Sequence, residues 1–516
     1  MHRGRPRGVR WHATLVIITL LAGSGCSGLL ASTRRAAPPA ATTAPEASPR
    51  RVRLLAVPTP LLTADAPETE PEPVASDSAA VARLMQLAHV WHTVSLHHPW
   101  IASRGIAWDS ALIVATTRIR AATDAAALGA VYARLTAILQ DPLTRLEPAN
   151  SADPSPIPVS SERTGDSVAV LRIAPAAALD ASDSVLMAGT MARLPERVLL
   201  DLRGGSVRDL VARANALDNF LLRTGLTNQL VRGVVTAPVE RTRRIGVWTH
   251  ADNMRDADTV GFHDGWQESS AATYHGDATA RRRVIVLADS GTVLPGVLLA
   301  LLDAGAASLV ADGGLRDAAP VQRVRLPLDA ETVATIRVGE LIHGDGSLDV
   351  VADTTVARAS DGDAALLAAM TLLRASTPLP LRERPLWPTM LPAVTPTFFD
   401  TTAYPFMGAR LLAGFRLWST MRARHAHRDL YDDDLDAVFA RVVPRLEAAK
   451  QAEDYALAIS DLAASLDDTE GRVQGDAYDA VVGVAALPFR VRLADGRAFI
   501  TDVIRCLLYT SDAADE

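Results

Sequence analysis

Catalysis needs nucleophiles, bases or metal ligands at workable spacing, and this sequence offers few of them. Lys450 is the only lysine, so no catalytic lysine can act anywhere else. Ser290, in Asp289-Ser290-Gly291-Thr292, lies between an apolar run and a helical stretch. With a base beside it such a serine could attack a carbonyl; otherwise it is a turn residue. His89, His92, His97 and His98 cluster, but not in the H-E-x-x-H order that lets one helix face hold zinc. Asp432, Asp433, Asp434 and Asp436 lack the central glycine and terminal glutamate of a calcium loop. They suit a helix N-terminus, where the macrodipole favours negative charge. Gly204-Gly205 and Gly313-Gly314 are turn glycines outside any phosphate-loop pattern. These residues imply no metal and no cofactor. Cys26 and Cys506 are the only cysteines, too few for a disulfide framework.

The elements around these residues are those of a folded, exported protein. A chain of 516 residues that is 48% apolar and 22% charged can build about three domains with real cores. Its 59 acidic residues outnumber 52 basic ones, which excludes nucleic acid as a partner class. Arg3, Arg5, Arg7 and Arg10 precede an apolar run, Ala13 to Ala22, that is too short for a stable bilayer span. Gly23-Ser24-Gly25 then leads to Cys26, as in a bacterial lipobox. Residues 1–26 are thus expected to be a signal peptide. Lipidated Cys26 would anchor the protein to a membrane, with its domains extracytoplasmic or periplasmic in a bacterial envelope. An ordinary secretory signal is the alternative.

Residues 27–78, rich in Pro, Ala, Thr and Glu and without periodicity, predict a disordered tether. Residues 79–150 predict a helical module. Leu84, Leu87, Val90, Trp91 and Val94 form one stripe, and Asp109–Ile119 and Asp124–Leu139 form two further amphipathic stretches. Residues 160–378 alternate strands (167–173, 197–202, 284–288, 307–311) with helices (207–222, 293–304). The near-continuous apolar strands predict a largely parallel α/β layer. A Pro-rich linker is expected over 379–408. The last eleven residues, Cys506–Glu516, read as translated adapter sequence, with a polar tail as the alternative; on the first reading the natural chain runs on past Arg505.

The chain also repeats itself. Adding 327 to positions 82–145 brings Arg83 onto Arg410, Leu84 onto Leu411, Trp91 onto Trp418, His98 onto His425 and Asp109 onto Asp436, without a gap. The same shift brings Asp141 onto Asp468 and Arg145 onto Arg472. A second helical module over 409–475 follows. Ala486–Ile504 then reads as a β-hairpin turning at Asp495-Gly496, the start of a further domain at 476–505.

The order Arg83-Leu84, Trp91, His98-Pro99, Trp108-Asp109 and Asp141-Pro142-Leu143-Thr144-Arg145 resembles the N-terminal helical module of tail-specific, or C-terminal-processing, serine peptidases of the tricorn-like group. Leu200–Gly205 is similar to that family's strand-ending DLRGN-type turn, and Val286–Ala304 to its nucleophile strand and helix. His343-Gly344-Asp345-Gly346 and Asp349-Val350 resemble a later G…D-V-V stretch. The resemblance covers about residues 80–505 and implies a crotonase-like parallel α/β core, with a PDZ-like domain opening at the hairpin. It implies serine-type proteolysis of envelope proteins or peptides, with peptides or unfolded C-termini as partners.

Carried over residue by residue, that chemistry is missing. The nucleophile position holds Leu294 and the family glutamate falls on Val297. The histidine of a D-x-H-T motif is Leu143, and no lysine lies near 312–322. Ser290 as a displaced nucleophile and Glu470 as a base in the second copy are the remaining candidates. The resemblance implies a binding remnant at Gly204, Gly205 and Pro295, where free helix-start N–H groups would hold a peptide carbonyl or carboxylate. Leu294 is expected in the first turn of that helix. Two functions remain open at this point. In one, the intact protein is a peptidase whose working site lies beyond this chain. In the other, it is a non-catalytic peptide- or protein-binding lipoprotein.

Overall fold

The central strands of this chain are apolar on both faces, and the fold explains why. The structure is a computed structural model. It describes residues 52–54, 75–101, 103–150, 159–164, 167–173, 193–204, 209–249, 260–358, 362–379, 384–386, 402–425, 434–466, 471–483, 489–494 and 497–503. Cys26, Gly205, Glu470, the Asp495-Gly496 turn, the signal region and residues 506–516 lie outside them.

The chain divides into two units, one over Ala22–Glu68 and Ala82–Phe398, the other over Met1–Leu21, Thr69–Val81 and Phe399–Glu516. The first opens with β1 (Val52–Leu54), α1 (Ser78–His97, within this unit from Ala82), α2 (Trp108–Ala121) and α3 (Ala125–Ala137). Then come β2 (Arg145–Pro148), β3 (Ser160–Thr164), β4 (Val168–Arg172), β5 (Arg197–Asp201), α4 (Leu210–Arg223) and α5 (Leu226–Leu230). Next are β6 (Val234–Thr236), β7 (Val239–Thr249), β8 (Val260–Glu268), β9 (Thr273–His275), β10 (Arg283–Asp289), α6 (Gly296–Asp303) and β11 (Ala307–Asp312). The unit closes with β12 (Arg323–Pro327), β13 (Thr332–Arg337), β14 (Gly339–Ile342), β15 (Thr354–Val356), α7 (Ala364–Arg374) and β16 (Arg384–Leu386).

The central sheet has the order β15-β11-β10-β5-β4-β3. Its first five strands are parallel, and β3 pairs antiparallel at the edge. Side chains alternate between two cores, as a period of two requires. Ala169, Leu171, Val198, Leu200, Val284, Val286, Leu309 and Ala311 enter the cluster beneath α4 and α6. Val168, Val170, Leu199, Ile285, Leu287 and Val310 meet Ala365, Ala369, Met370 and Leu373 of α7 on the other face. With both faces covered, the charged residues of β4, β5, β10 and β11 lie at the strand ends.

The second unit contains α8 (Met407–Arg424), α9 (Leu435–Ala448), α10 (Ala452–Ala464), α11 (Asp476–Val482) and the antiparallel pair β17 (Phe489–Ala494) and β18 (Arg497–Val503). The bounds of α2 and α3, moved by 327, are those of α9 and α10. Side-chain bonds recur at the same shift. The Trp91 indole N–H donates to Asp109 Oδ1 at 3.1 Å, and that of Trp418 to Asp436 Oδ1 at 3.0 Å. Arg83 Nε donates to the Ile119 carbonyl at 3.1 Å, and Arg410 Nε to the Leu446 carbonyl at 2.8 Å.

Two expected spans need correction. The 27–78 tether is not wholly without structure, because Val52–Leu54 pairs in parallel with Arg384–Leu386, which also puts a strand inside the expected 379–408 linker. That linker ends early, since α8 begins at Met407. Among the described residues, no helix is long and apolar enough to cross a membrane.

Candidate functional site

Four neighbouring parallel strands end on charge. Arg172, Asp201, Asp289 and Asp312 are the last residues of β4, β5, β10 and β11. Arg172 is in register with Asp201, and Asp289 with Asp312. Together with Arg203, Gly204 and Arg358 they line a crevice of about 300 Å³ at the carboxyl ends of the sheet, the edge where open α/β sheets take ligands. Gly204 has φ 149°, a conformation glycine adopts freely, and it turns the chain out of β5.

Arg203 holds the crevice together. Its Nε and Nη2 donate to Asp201 at 3.0 and 2.9 Å, and its Nη1 donates to Asp312 at 3.0 Å. Both terminal nitrogens also reach Asp363, at 2.9 and 2.7 Å. Asp201 above all, then Asp363 and Asp312, raise the guanidinium's affinity for its proton, and the same contact lowers the carboxyl of Asp363. Arg172 and Arg358 are held more loosely. Arg172 lies 3.6 Å from Asp201, and Arg358 lies 3.7 Å from Asp289 and 3.6 Å from Asp312. Their side chains are 53% and 64% exposed, so both guanidiniums remain open to a ligand.

Beside this crevice the chain leaves β10 through a tight turn. Asp289 Oδ1 accepts from the Gly291 N–H at 3.1 Å and the Thr292 hydroxyl at 2.8 Å. Ser290 is half-buried in that turn, its carbonyl accepting from the Asp317 N–H, and among the described residues no base meets its hydroxyl. Leu294 is not in the first turn of the helix. Pro295 is the N-cap, α6 begins at Gly296, and Leu294 precedes both. Proline's ring fixes its φ, and its own ψ of 159° keeps the chain extended there, so the helix starts three residues later than the apolar pattern suggests. The Leu294 N–H donates to the Ala318 carbonyl at 3.0 Å, and its side chain is fully buried. Leu143 is fully buried in the same cluster. The positions at which the resemblance puts nucleophile and base therefore share one apolar core.

The helix start itself is occupied. Asp218, on α4, accepts from the N–H of Gly296 at 2.8 Å and that of Val297 at 3.0 Å. The Tyr274 hydroxyl donates to the same carboxylate at 2.9 Å. Gly296 allows this approach: a Cβ there would run into the Tyr274 hydroxyl and Asp218 Oδ2. Burial raises the Asp218 carboxyl above its usual range, against the pull of the three donors. Burial and the neighbouring carboxylate likewise raise the Tyr274 phenol. The expected free donors behind Pro295 are thus taken by an internal anion. Neither Asp218 nor Tyr274 is among the sequence candidates; the glycine at 296, where a Cβ would meet both groups, is the one local signal that could point to them.

A second polar assembly supports the loop that carries Leu143. Asp141 accepts from the Thr144 hydroxyl at 2.7 Å and lies 3.2 Å from both His98 Nε2 and Arg337 Nε. His98 Nδ1 accepts from the Trp100 N–H at 3.2 Å, so its Nε2 is the donor to Asp141. Burial would raise Asp141, but Arg337 and the His98 and Thr144 bonds outweigh it and hold the carboxyl below its usual range. Burial lowers His98, which fits a neutral ring. These bonds fix a turn, with the His98 and Asp141 side chains fully buried in it.

Among the described residues no group of His, Cys, Asp or Glu is arranged to hold a metal ion. No protein-family model matches the chain, and no curated protein matches its sequence. Solved structures align to it at low similarity. A lipoprotein from Streptococcus agalactiae aligns at 9% identity and TM-score 0.31, covering 56% of this chain and 96% of its own. A candidate peptidase from Parabacteroides merdae aligns at 11% and 0.33, covering 58% and 98%. The photosystem II D1 C-terminal processing protease aligns at 12% and 0.25, covering 58% and 99%.

Proposed function

We propose that this chain is a non-catalytic peptide-binding protein built on a peptidase-like α/β core, exported and held at a membrane through lipidated Cys26. The observation that carries this reading is Asp218. A carboxylate from the protein itself sits on the helix-start N–H groups that would otherwise stabilise an oxyanion. Fully buried Leu294 and Leu143 agree with it, since neither can give or take a proton. The ligand is a peptide C-terminus, with its carboxylate on the exposed guanidiniums of Arg172 and Arg358 and its N–H groups toward Asp289 and Asp312.

Calorimetric titration with a C-terminal peptide and its amidated form tests this. The free carboxylate should bind about tenfold more tightly, and replacing Arg172 and Arg358 with Ala should remove the difference. Equal binding of both forms, or turnover of a fluorogenic peptide by the unaltered chain, would refute it.

The recurrence at a shift of 327 favours a second reading for the intact protein. In that reading the helical module is duplicated, the β17–β18 pair opens a PDZ-like domain, and a working peptidase core follows the second copy. A G-T-x-S-type strand and helix encoded downstream of codon 505 would favour it, and an early stop codon would end it.

A further inference from the structure

The charges around the strand-end crevice do not balance. Among the described residues, Asp201, Asp289, Asp312 and Asp363 meet three guanidiniums there, those of Arg172, Arg203 and Arg358. Arg203 has nothing left for a ligand. Every N–H of its guanidinium already goes to the protein: Nε to Asp201, Nη1 to Asp312 and Asp363, and Nη2 to Asp201 and Asp363. Asp201 therefore keeps a partner on both oxygens even when Arg172 turns to a ligand. The other side of the crevice differs. Asp289 uses Oδ1 on the Gly291 N–H and the Thr292 hydroxyl, and Asp312 uses Oδ2 on Arg203. Asp289 Oδ2 and Asp312 Oδ1 meet Arg358 at 3.7 and 3.6 Å, a charge contact longer than a hydrogen bond. The two aspartates are in register on β10 and β11, and neighbouring strands lie about 4.8 Å apart. When Arg358 turns to a ligand's carboxylate, it leaves two like charges side by side.

Resting on the reading of this crevice as a peptide-terminus site, we propose that its ligand carries a cation close to its carboxylate, an ammonium or guanidinium that takes the place of Arg358 between Asp289 and Asp312. Backbone N–H groups would fill the lone pairs of those two oxygens but leave their charge uncompensated. An organic cation does both, through charge-assisted bonds. Size sets how close the two ligand charges lie. The crevice of about 300 Å³ is at the bottom of the range of about 300–1,000 Å³ typical of small-molecule sites, so one short segment must supply both. Peptides have two such segments: a di- or tripeptide with a free α-ammonium, and a chain that ends in arginine or lysine.

The probes are peptides that all keep a free C-terminus, titrated calorimetrically into the full chain. Acetyl-Ala-Ala-Leu has no cation, Ala-Ala-Leu has the α-ammonium, and acetyl-Ala-Ala-Arg has the side-chain guanidinium. At least one cationic peptide should bind about tenfold more tightly than acetyl-Ala-Ala-Leu, and the one that does names the source of the cation. Asp289→Asn and Asp312→Asn should each reduce that advantage about threefold. Each variant keeps an oxygen for its present donors, so the circular dichroism spectrum should not change. Binding of acetyl-Ala-Ala-Leu as tight as that of both cationic peptides, or an advantage undiminished in both variants, would overturn the proposal. If that binding is lost on amidation, the carboxylate reading still stands. Binding that ignores amidation, or none of any peptide, removes that reading and this proposal with it.

Discussion

Replacing Asp218 with Ala removes one acceptor from three donors at once: the Gly296 and Val297 N–H groups and the Tyr274 hydroxyl. Loss of a helix N-cap carboxylate costs about 1 kcal/mol. Leaving the part-buried tyrosine hydroxyl without its acceptor adds about 1–3 kcal/mol, so the total should be about 2–4 kcal/mol. Asp218→Asn can keep an acceptor oxygen for the Gly296 N–H and the Tyr274 hydroxyl but turns its NH2 onto the Val297 N–H, so it should cost about 1–2 kcal/mol, less than alanine. The pH dependence has a definite sign. Burial raises the folded carboxyl above its unfolded value. The native state therefore keeps the proton to higher pH than the unfolded chain, and this group's contribution to stability falls as pH rises through the interval between the two values. Asp218→Asn abolishes that slope. Urea unfolding followed by circular dichroism gives the magnitudes, and amide exchange at Gly296 and Val297 localises them. An alanine variant within about 0.5 kcal/mol of the parent, or an asparagine variant as costly as alanine, would refute the assignment of Asp218 as the cap.

Leu294→Ser should yield no peptide hydrolysis and no labelling by serine-reactive probes, while destabilising the core by about 3 kcal/mol; labelling with turnover would reveal an unrecognised base. Asp141→Asn should cost about 3 kcal/mol at neutral pH, because it leaves buried Arg337 short of a counter-charge. Asp141's folded carboxyl is depressed, so the stability it contributes is present above the ordinary aspartate range and lost as pH falls; the asparagine variant should lack that acid-side loss. Cys26→Ser should abolish incorporation of labelled palmitate and membrane fractionation, and unchanged membrane association would contradict the anchor.

What could be read from the sequence was whatever has a local period. The runs at 197–202, 284–288 and 307–311 became strands because a strand covered on both faces is continuously apolar. The pattern ended each within a residue or two of Asp201, Asp289 and Asp312. Leu84, Leu87, Val90, Trp91 and Val94 are all buried, as a single helical stripe demands. Pairings between distant segments carry no such signature. Val52–Leu54 is three residues long and finds its partner more than three hundred residues away. The β7–β8 hairpin mixes Arg, Gly and Trp and has no clean alternation. The candidate site is legible only in part for the same reason. The α6 helix was foreseen, and so were its donors, but the acceptor comes from another helix and Tyr274 from a short strand. Chain-local reasoning can locate a helix end, but it cannot say what sits on it.

An anion supplied by the chain differs from a bound one in that it cannot diffuse away. A carboxylate fixed within hydrogen-bond distance of its donors competes intramolecularly, so its occupancy does not depend on any concentration in solution. Free carboxylic acids, peptide termini and acyl intermediates therefore meet a competitor at the α6 helix start that dilution never weakens. Adding a serine leaves that competitor in place. If the core is non-catalytic as proposed, a path to catalysis would have to evict Asp218 as well as install a nucleophile and a base, and the first of those steps costs stability before the others return anything.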